Sequence, residues 1–294
     1  MPPKKNSAAG HVAAFAPLAI ALLMNRSLLP GASESTLKDL ENATEADAVK
    51  CEEVIDFQDC HSRYPTGCSK SGGYDPYLNL LKNQLIAPSD AAHAVKYLGS
   101  LDDATALDAK IPAEVSKTNH ADFKDALAKA GEGQIYGVVG YLYYAKKTTA
   151  ESSNCQLDSD DTEGTNVDFH IGIGFDEAIA QSIREKKPVA GSVKTQTSMI
   201  VEMTPHYRFN FNEAWTLKAL SSAMGKKVRI VGQLILDSEH NVPSQNCAIA
   251  TTAKQRQVCW RGSAWELHPV IQFQVCDTNA CTANSTDWHE LSEQ

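Results

Sequence analysis

The chain has 294 residues, 43% of them hydrophobic, and a formal net charge of −9. This composition excludes a disordered or fibrous chain and supplies enough apolar material for a real core. The acid excess, without a basic face, gives no strong nucleic-acid signal and argues against a polyanion partner.

Lys4 and Lys5 precede an apolar run from Val12 to Met24, and Gly31, Ala32 and Ser33 follow it. A short basic stretch, a short apolar core and small residues make the pattern of a signal peptide over residues 1–33. No other apolar run approaches the ~18 residues that suggest a membrane span. The mature chain is therefore expected to be secreted or periplasmic, with no membrane span. Eight cysteines agree: Cys51, Cys60, Cys68, Cys155, Cys247, Cys259, Cys276 and Cys281. An even count suits disulfides in an oxidising compartment, and the absence of C-x-x-C spacing argues against a zinc ribbon or a thioredoxin motif. Proximity in sequence suggests Cys247 with Cys259 and Cys276 with Cys281. Cys155 would then tie to the Cys51/Cys60/Cys68 group.

Residues 34–131 read as a helical, disulfide-bearing region. Cys51 to Gly73 is an irregular loop carrying Pro65, Gly67 and Gly72-Gly73. Tyr74 to Ile86 predicts a helix, with Asp75 as cap, Pro76 at the first helical position, and Tyr77, Leu78, Leu81 and Leu85 on one side. Ser89 to Leu98 and Asn119 to Ala130 predict two more, the last stopped by Gly131.

From Gln134 the pattern becomes that of strands. Gln134 to Tyr144 is β-branched and aromatic, with Gly137 and Gly140 marking a bulge or bend. After a polar loop, Val167 to Gly174 alternates strictly. A helical turn is predicted near Ala178 to Arg184, then a strand from Ser198 to Met203 ended by Thr204-Pro205. Asn212 to Met224 predicts a helix with an Asn cap and Gly225 beyond its end. Val228 to Asp237 and Trp265 to Val275 are the fourth and fifth strands, and after Cys281 the tail (282–294) is polar.

The expected fold class is α+β, mainly β with helices: a five-stranded barrel over 132–281, preceded by the helical region. Five strands with a helix between the third and fourth resemble the OB-fold. The phrases DFHIGIG, MIVEMTP, VRIVGQLILDSEH and SAWELHPVIQF are also similar to an uncharacterised family of exported bacterial proteins with a closing Trp-Glu-x-His-Pro strand. That resemblance implies fold and compartment, and no activity.

Alternation along strands sends successive side chains to opposite faces. Val167, Phe169, Ile171 and Ile173 pattern as core, leaving Asp168 and His170 on the other face. Glu202, Glu266 and His268 fall on the corresponding faces of their strands. The OB-fold resemblance implies strand order 1-2-3-5-4-1, which would gather Asp168, His170, Glu202, Glu266 and His268 into one patch. Asp237 and His240 leave the fourth strand nearby and form a secondary candidate. Two imidazoles among carboxylates can hold a divalent metal such as zinc or manganese. Outer strand faces are also polar by default, and cross-strand Glu–His pairs stabilise sheets. Tyr136, Tyr141, Tyr143 and Tyr144 could stack a base or sugar or simply pack. No G-x-S-x-G elbow and no H-E-x-x-H motif is present.

Two functions follow as expectations. One is an exported, disulfide-stabilised OB-fold binding or structural module without catalysis, for an unknown small or oligomeric ligand. The other is a divalent-metal-dependent hydrolase, of phosphoesterase or nuclease type, using the His/Glu patch.

Overall fold

The structure is a computed structural model that describes residues 76–155, 157 and 163–292. The signal-peptide reading, the Asp75 cap and Cys51, Cys60 and Cys68 lie outside the described residues.

The elements, in order, are α1 (Pro76–Lys82), β1 (Tyr97–Leu98), α2 (Leu101–Asp108), α3 (Lys124–Ala130) and β2 (Ile135–Lys147). Then come β3 (Phe169–Gly174), α4 (Glu177–Arg184), α5 (Gly191–Gln196), β4 (Ser198–Met203), α6 (Pro205–Phe211) and α7 (Leu217–Ser222). The chain ends with β5 (Lys227–Leu236), α8 (Ala253–Val258), β6 (Trp265–Cys276) and β7 (Trp288–Glu290). The fold is mixed α+β around one seven-stranded sheet. That sheet runs β1-β2-β3-β4-β6-β5 and closes in a ring because β5 also pairs with β2.

The length of β2 makes the closure. Its first half, Ile135–Tyr141, pairs with β5, and its second half, Tyr141–Lys147, pairs with β3. The two predicted glycines serve close approach. A Cβ on Gly137 would stand 2.2 Å from the Tyr97 ring, and one on Gly140 would stand 2.6 Å from the Gly174 carbonyl. The register shift itself falls between Leu142 and Tyr144. Inside the ring, Phe169, Ile171, Ile173, Met199, Val201, Met203, Ile230, Leu267 and Phe273 form one buried cluster, as alternation predicts.

Several elements differ from expectation. The helix predicted over 212–224 is two short helices. Thr204 accepts from the Tyr207 amide and Pro205 follows it, so α6 starts directly off β4. Asn212 ends α6 instead of capping a helix; Thr216 caps α7. Between them Trp215 turns into the core and stacks on Tyr207 at 6.0 Å. Ser89–Leu98 is not a helix: a 3₁₀ turn covers Pro88–His93, and Tyr97–Leu98 adds to β2 as a parallel strand. Helix α2, which was not expected, has a plain start signal: Ser100 accepts from the Asp103 amide at 3.1 Å. The polar tail contributes β7, paired with β6.

Both predicted local disulfides are formed, Cys247–Cys259 and Cys276–Cys281. Cys155 is also in a disulfide. Such cross-links belong to an oxidising compartment. Among the described residues no helix is long and apolar enough to cross a membrane.

Candidate metal centre

His170 stands directly opposite Glu202 across the antiparallel β3–β4 pair. In the parallel β4–β6 pair Ile200 is opposite Glu266, so Glu202 lies beside His268 one repeat further along. The alternation that sends Phe169, Val201 and Leu267 inward therefore sends Asp168, His170, Glu202, Glu266 and His268 to one outer patch. All five sequence candidates meet there.

The patch is not a solvated face. Asp168, Glu266 and His268 are fully buried, and only Glu202 at 5% and His170 at 8% touch solvent. The C-terminal end of α1 covers it, bringing Lys82, Asn83 and Gln84 inside, with Ser153 and Asn154 from the loop after β2. Gln233 on β5 fastens this cover by donating to the Leu81 carbonyl at 2.8 Å, and Asn83 donates to the Ser153 carbonyl at 3.0 Å. Tyr144, Trp260 and His240 are partly exposed and line the remaining edge. Their rings adjoin in sequence: Tyr144 to His170 at 6.4 Å, His170 to Trp260 at 5.9 Å, Trp260 to His240 at 5.0 Å.

One ligand atom each from Asp168, Glu202 and His268 lies within 4.8 Å of the other two. These groups are conspicuously under-bonded. Asp168 Oδ1, Glu202 Oε2, His268 Nε2 and His170 Nε2 are all buried without a hydrogen-bond partner. Buried polar atoms are nearly always paired, so four unpaired ones on neighbouring side chains mark this patch as a candidate binding site. The other atoms of the ligand side chains are held. Asn154 donates to Asp168 Oδ2 at 3.1 Å. Glu266 Oε1 accepts from His268 Nδ1 at 3.1 Å, which leaves Nε2 without a hydrogen-bond partner. Arg261 donates to Glu266 Oε2 at 2.8 Å, to the Ser263 carbonyl at 2.9 Å and to Asp237. Asp237 also binds His240, so a continuous chain runs His240–Asp237–Arg261–Glu266–His268.

The charges separate into two kinds. Burial opposes ionisation of Asp237, but Arg261 and His240 outweigh it and hold the carboxyl well below its usual range. Burial and Asp237 likewise push Glu266 up, yet the His268 hydrogen bond, Arg261 and Lys82 bring it to about 2. Glu202 lacks such a partner. Burial, Glu266, Glu151 and Asp168 drive it well above the ordinary carboxylate range. Burial, with Arg261 and Lys146, pushes His170 down to about 3, so its ring is neutral. Lys82 is desolvated too, but Glu151, Asp237, Glu266 and Glu202 keep its ammonium charged. Five carboxyl groups (Glu151, Asp168, Glu202, Asp237 and Glu266) thus crowd around two fixed cations, Lys82 and Arg261. A divalent cation beside Glu202 would favour its ionised form.

Sequence reasoning missed Lys82, Glu151, Asn154, Trp260 and Arg261. Arg261 carried a faint signal, sitting two residues beyond Cys259 in a clipped loop. Lys82 lies on a helix whose apolar side was visible but whose polar side gave no reason to be buried. Of the four tyrosines, only Tyr144 borders the site. Tyr143 is fully buried, its hydroxyl donating to the Asp176 carbonyl. Tyr136 packs within the core, and Tyr141 packs with Tyr143 and Ala180. A separate hydroxyl–imidazole–carboxylate line runs from Ser238 through His120 to Glu132, at 2.9 and 3.0 Å. All three residues are buried, at 5%, 0% and 2%, and Glu132 also receives the Leu236 amide, so this line ties α3 to the end of β5.

No protein-family model, curated protein or solved structure matches this chain.

Proposed function

We propose that this chain is an exported, disulfide-stapled module built on an OB-like closed sheet, and that it binds one divalent transition metal through Asp168, Glu202 and His268. The observation that carries the proposal is that one ligand atom each of Asp168, Glu202 and His268 lies within 4.8 Å of the other two, on buried side chains that each keep an atom without a hydrogen-bond partner. Two carboxylates and one imidazole suit zinc or manganese. The OB-like reading is supported by the ring order: numbering only β2 to β6, it runs first, second, third, fifth, fourth and back to first. Export is supported by the oxidised cysteines and the signal-like N-terminus.

Elemental analysis of purified protein, followed by calorimetric titration of the stripped protein with zinc and manganese, tests the proposal. One ion per chain is expected, with binding abolished in Asp168→Ala and His268→Ala. At metal 100-fold above Kd, mass action should stabilise the fold by about 2.7 kcal/mol, visible as a raised Tm. No bound metal and no affinity for either ion would overturn the reading.

A further inference from the structure

Asp168, Glu202 and His268 supply three ligand atoms, one fewer than even a tetrahedral ion requires. No fourth side chain of ligating type closes the set among the described residues. Glu266 is committed to Arg261 and His268. His170 is adjacent, with Nδ1 3.7 Å from Glu202 Oε1, but stands outside the three-residue cluster. Solvent reaches the centre only at His170 and Glu202, since Asp168 and His268 are fully buried. Any added ligand must therefore enter at that edge, beside the partly exposed rings of Tyr144 and Trp260. Hydrogen bonding restricts its nature. With His170 Nδ1 turned toward Glu202 Oε1 at 3.7 Å, the unpartnered Nε2 is left as an acceptor, which an acetate or azide ion has no hydrogen to satisfy and a neutral N–H donor can. A flat ring can rest against Trp260 and Tyr144. His170 Nε2, buried and without a hydrogen-bond partner, is available to a ligand N–H or O–H.

Resting on the metal-binding reading, we infer that the ion keeps one exchangeable position on the His170 side. Water occupies it by default, and it takes a neutral nitrogen heterocycle of the imidazole class in preference to anions. The centre is then a ligand-accepting metal site, in contrast to a closed structural one.

Cobalt(II) reports this position directly, because its visible spectrum changes when a ligand is exchanged. The full chain is stripped, loaded with cobalt(II), and titrated with imidazole, acetate and azide. Imidazole should change the spectrum to saturation and bind at least about 10-fold more tightly than either anion. Trp260→Ala should weaken imidazole about 10-fold. His170→Gln, which keeps a hydrogen-bonding group, should still load one cobalt per chain. An unchanged spectrum with one cobalt bound overturns this inference and leaves the metal reading intact. Acetate or azide binding more tightly than imidazole overturns the neutral-donor argument. Loss of cobalt from His170→Gln, in a variant whose circular dichroism matches the parent, makes His170 a fourth ligand and also overturns it. Failure of the parent chain to bind cobalt, zinc or manganese removes the metal reading itself.

Discussion

Arg261 joins Asp237 to Glu266 from a fully buried position, with Glu266 Oε2 2.8 Å from its guanidinium. The planar fork serves two carboxylates, one just past β5 and one on β6, while its Nε donates to the Ser263 carbonyl. Removing it would leave both acids buried without their cation. Arg261→Met should therefore destabilise the chain by about 3–5 kcal/mol, measured by urea denaturation. Arg261→Lys should rescue only part of that, because one ammonium cannot reproduce the fork.

Glu202 should behave in the opposite way. Its carboxyl is buried beside Glu266, Glu151 and Asp168, which together with burial outweigh the favourable charge of Lys82. A ligand group held in this state costs stability when no metal is bound. Glu202→Gln should raise the Tm of the metal-free protein while lowering metal affinity at least about 100-fold, the upper range seen when metal-site groups are altered. Differential scanning calorimetry with and without zinc measures both. A variant that loses stability and keeps its metal would show Glu202 to be an ordinary structural acid.

How much of this was legible in the chain depends on period. The strict alternation of DFHIGIG placed Asp168 and His170 opposite the core, and the same two-residue repeat placed Glu202, Glu266 and His268. What joined them was register, His170 to Glu202 and Ile200 to Glu266, which pairing across distant segments decides. Burial was not legible, because the cover comes from Lys82 and Asn154, outside the strands. The helices around Trp215 were misread for a related reason: a buried indole stacked on Tyr207 outweighs local helix signals.

Asp108 anchors α2 to the loop before β6. Its carboxylate accepts from Ser263 Oγ at 2.6 Å, the Ala264 amide at 2.9 Å and Asn246 Nδ2 at 2.7 Å. Asp108→Ala strands these donors in a buried place and should cost about 2–4 kcal/mol, since each unsatisfied group costs about 1–3 kcal/mol and some relaxation is available. Asp102→Ala, in the exposed first turn of the same helix, is the control and should stay within about 0.5 kcal/mol.

His206, outside the Asp168/Glu202/His268 cluster, gives a pH dependence of its own. Burial lowers its pKa below the free value, against a partly compensating hydrogen bond to the Asn83 carbonyl. The unfolded chain therefore takes up this proton at higher pH than the folded one. Stability from this group is complete above the unfolded value near 6.5 and falls as pH drops through the interval down to the lowered folded value. His206→Gln should make the fall in stability below about pH 6.5, the free histidine value, shallower in urea titrations of metal-free protein, the remainder coming from His170, which burial also holds neutral. An unchanged slope would remove His206 as a contributor.

The two local disulfides should separate stability from binding. Both close short loops, 12 and 5 residues in sequence separation, so each removes chain entropy from the unfolded state. Only Cys247–Cys259 adjoins the centre. Cys259 precedes Trp260 and Arg261, and the Cys247 amide donates to the Arg261 carbonyl at 2.8 Å. The double substitution Cys247→Ser with Cys259→Ser should cost about 2–3 kcal/mol and also weaken zinc binding, because Arg261 loses the frame that aims it at Glu266. The equivalent Cys276/Cys281 pair of substitutions should lower stability and leave zinc affinity within about twofold, since that staple joins the end of β6 to the segment before β7. Equal losses of zinc affinity in both double variants would mean that binding follows global stability and not the position of Arg261. Calorimetric titration below each variant's melting range decides between them.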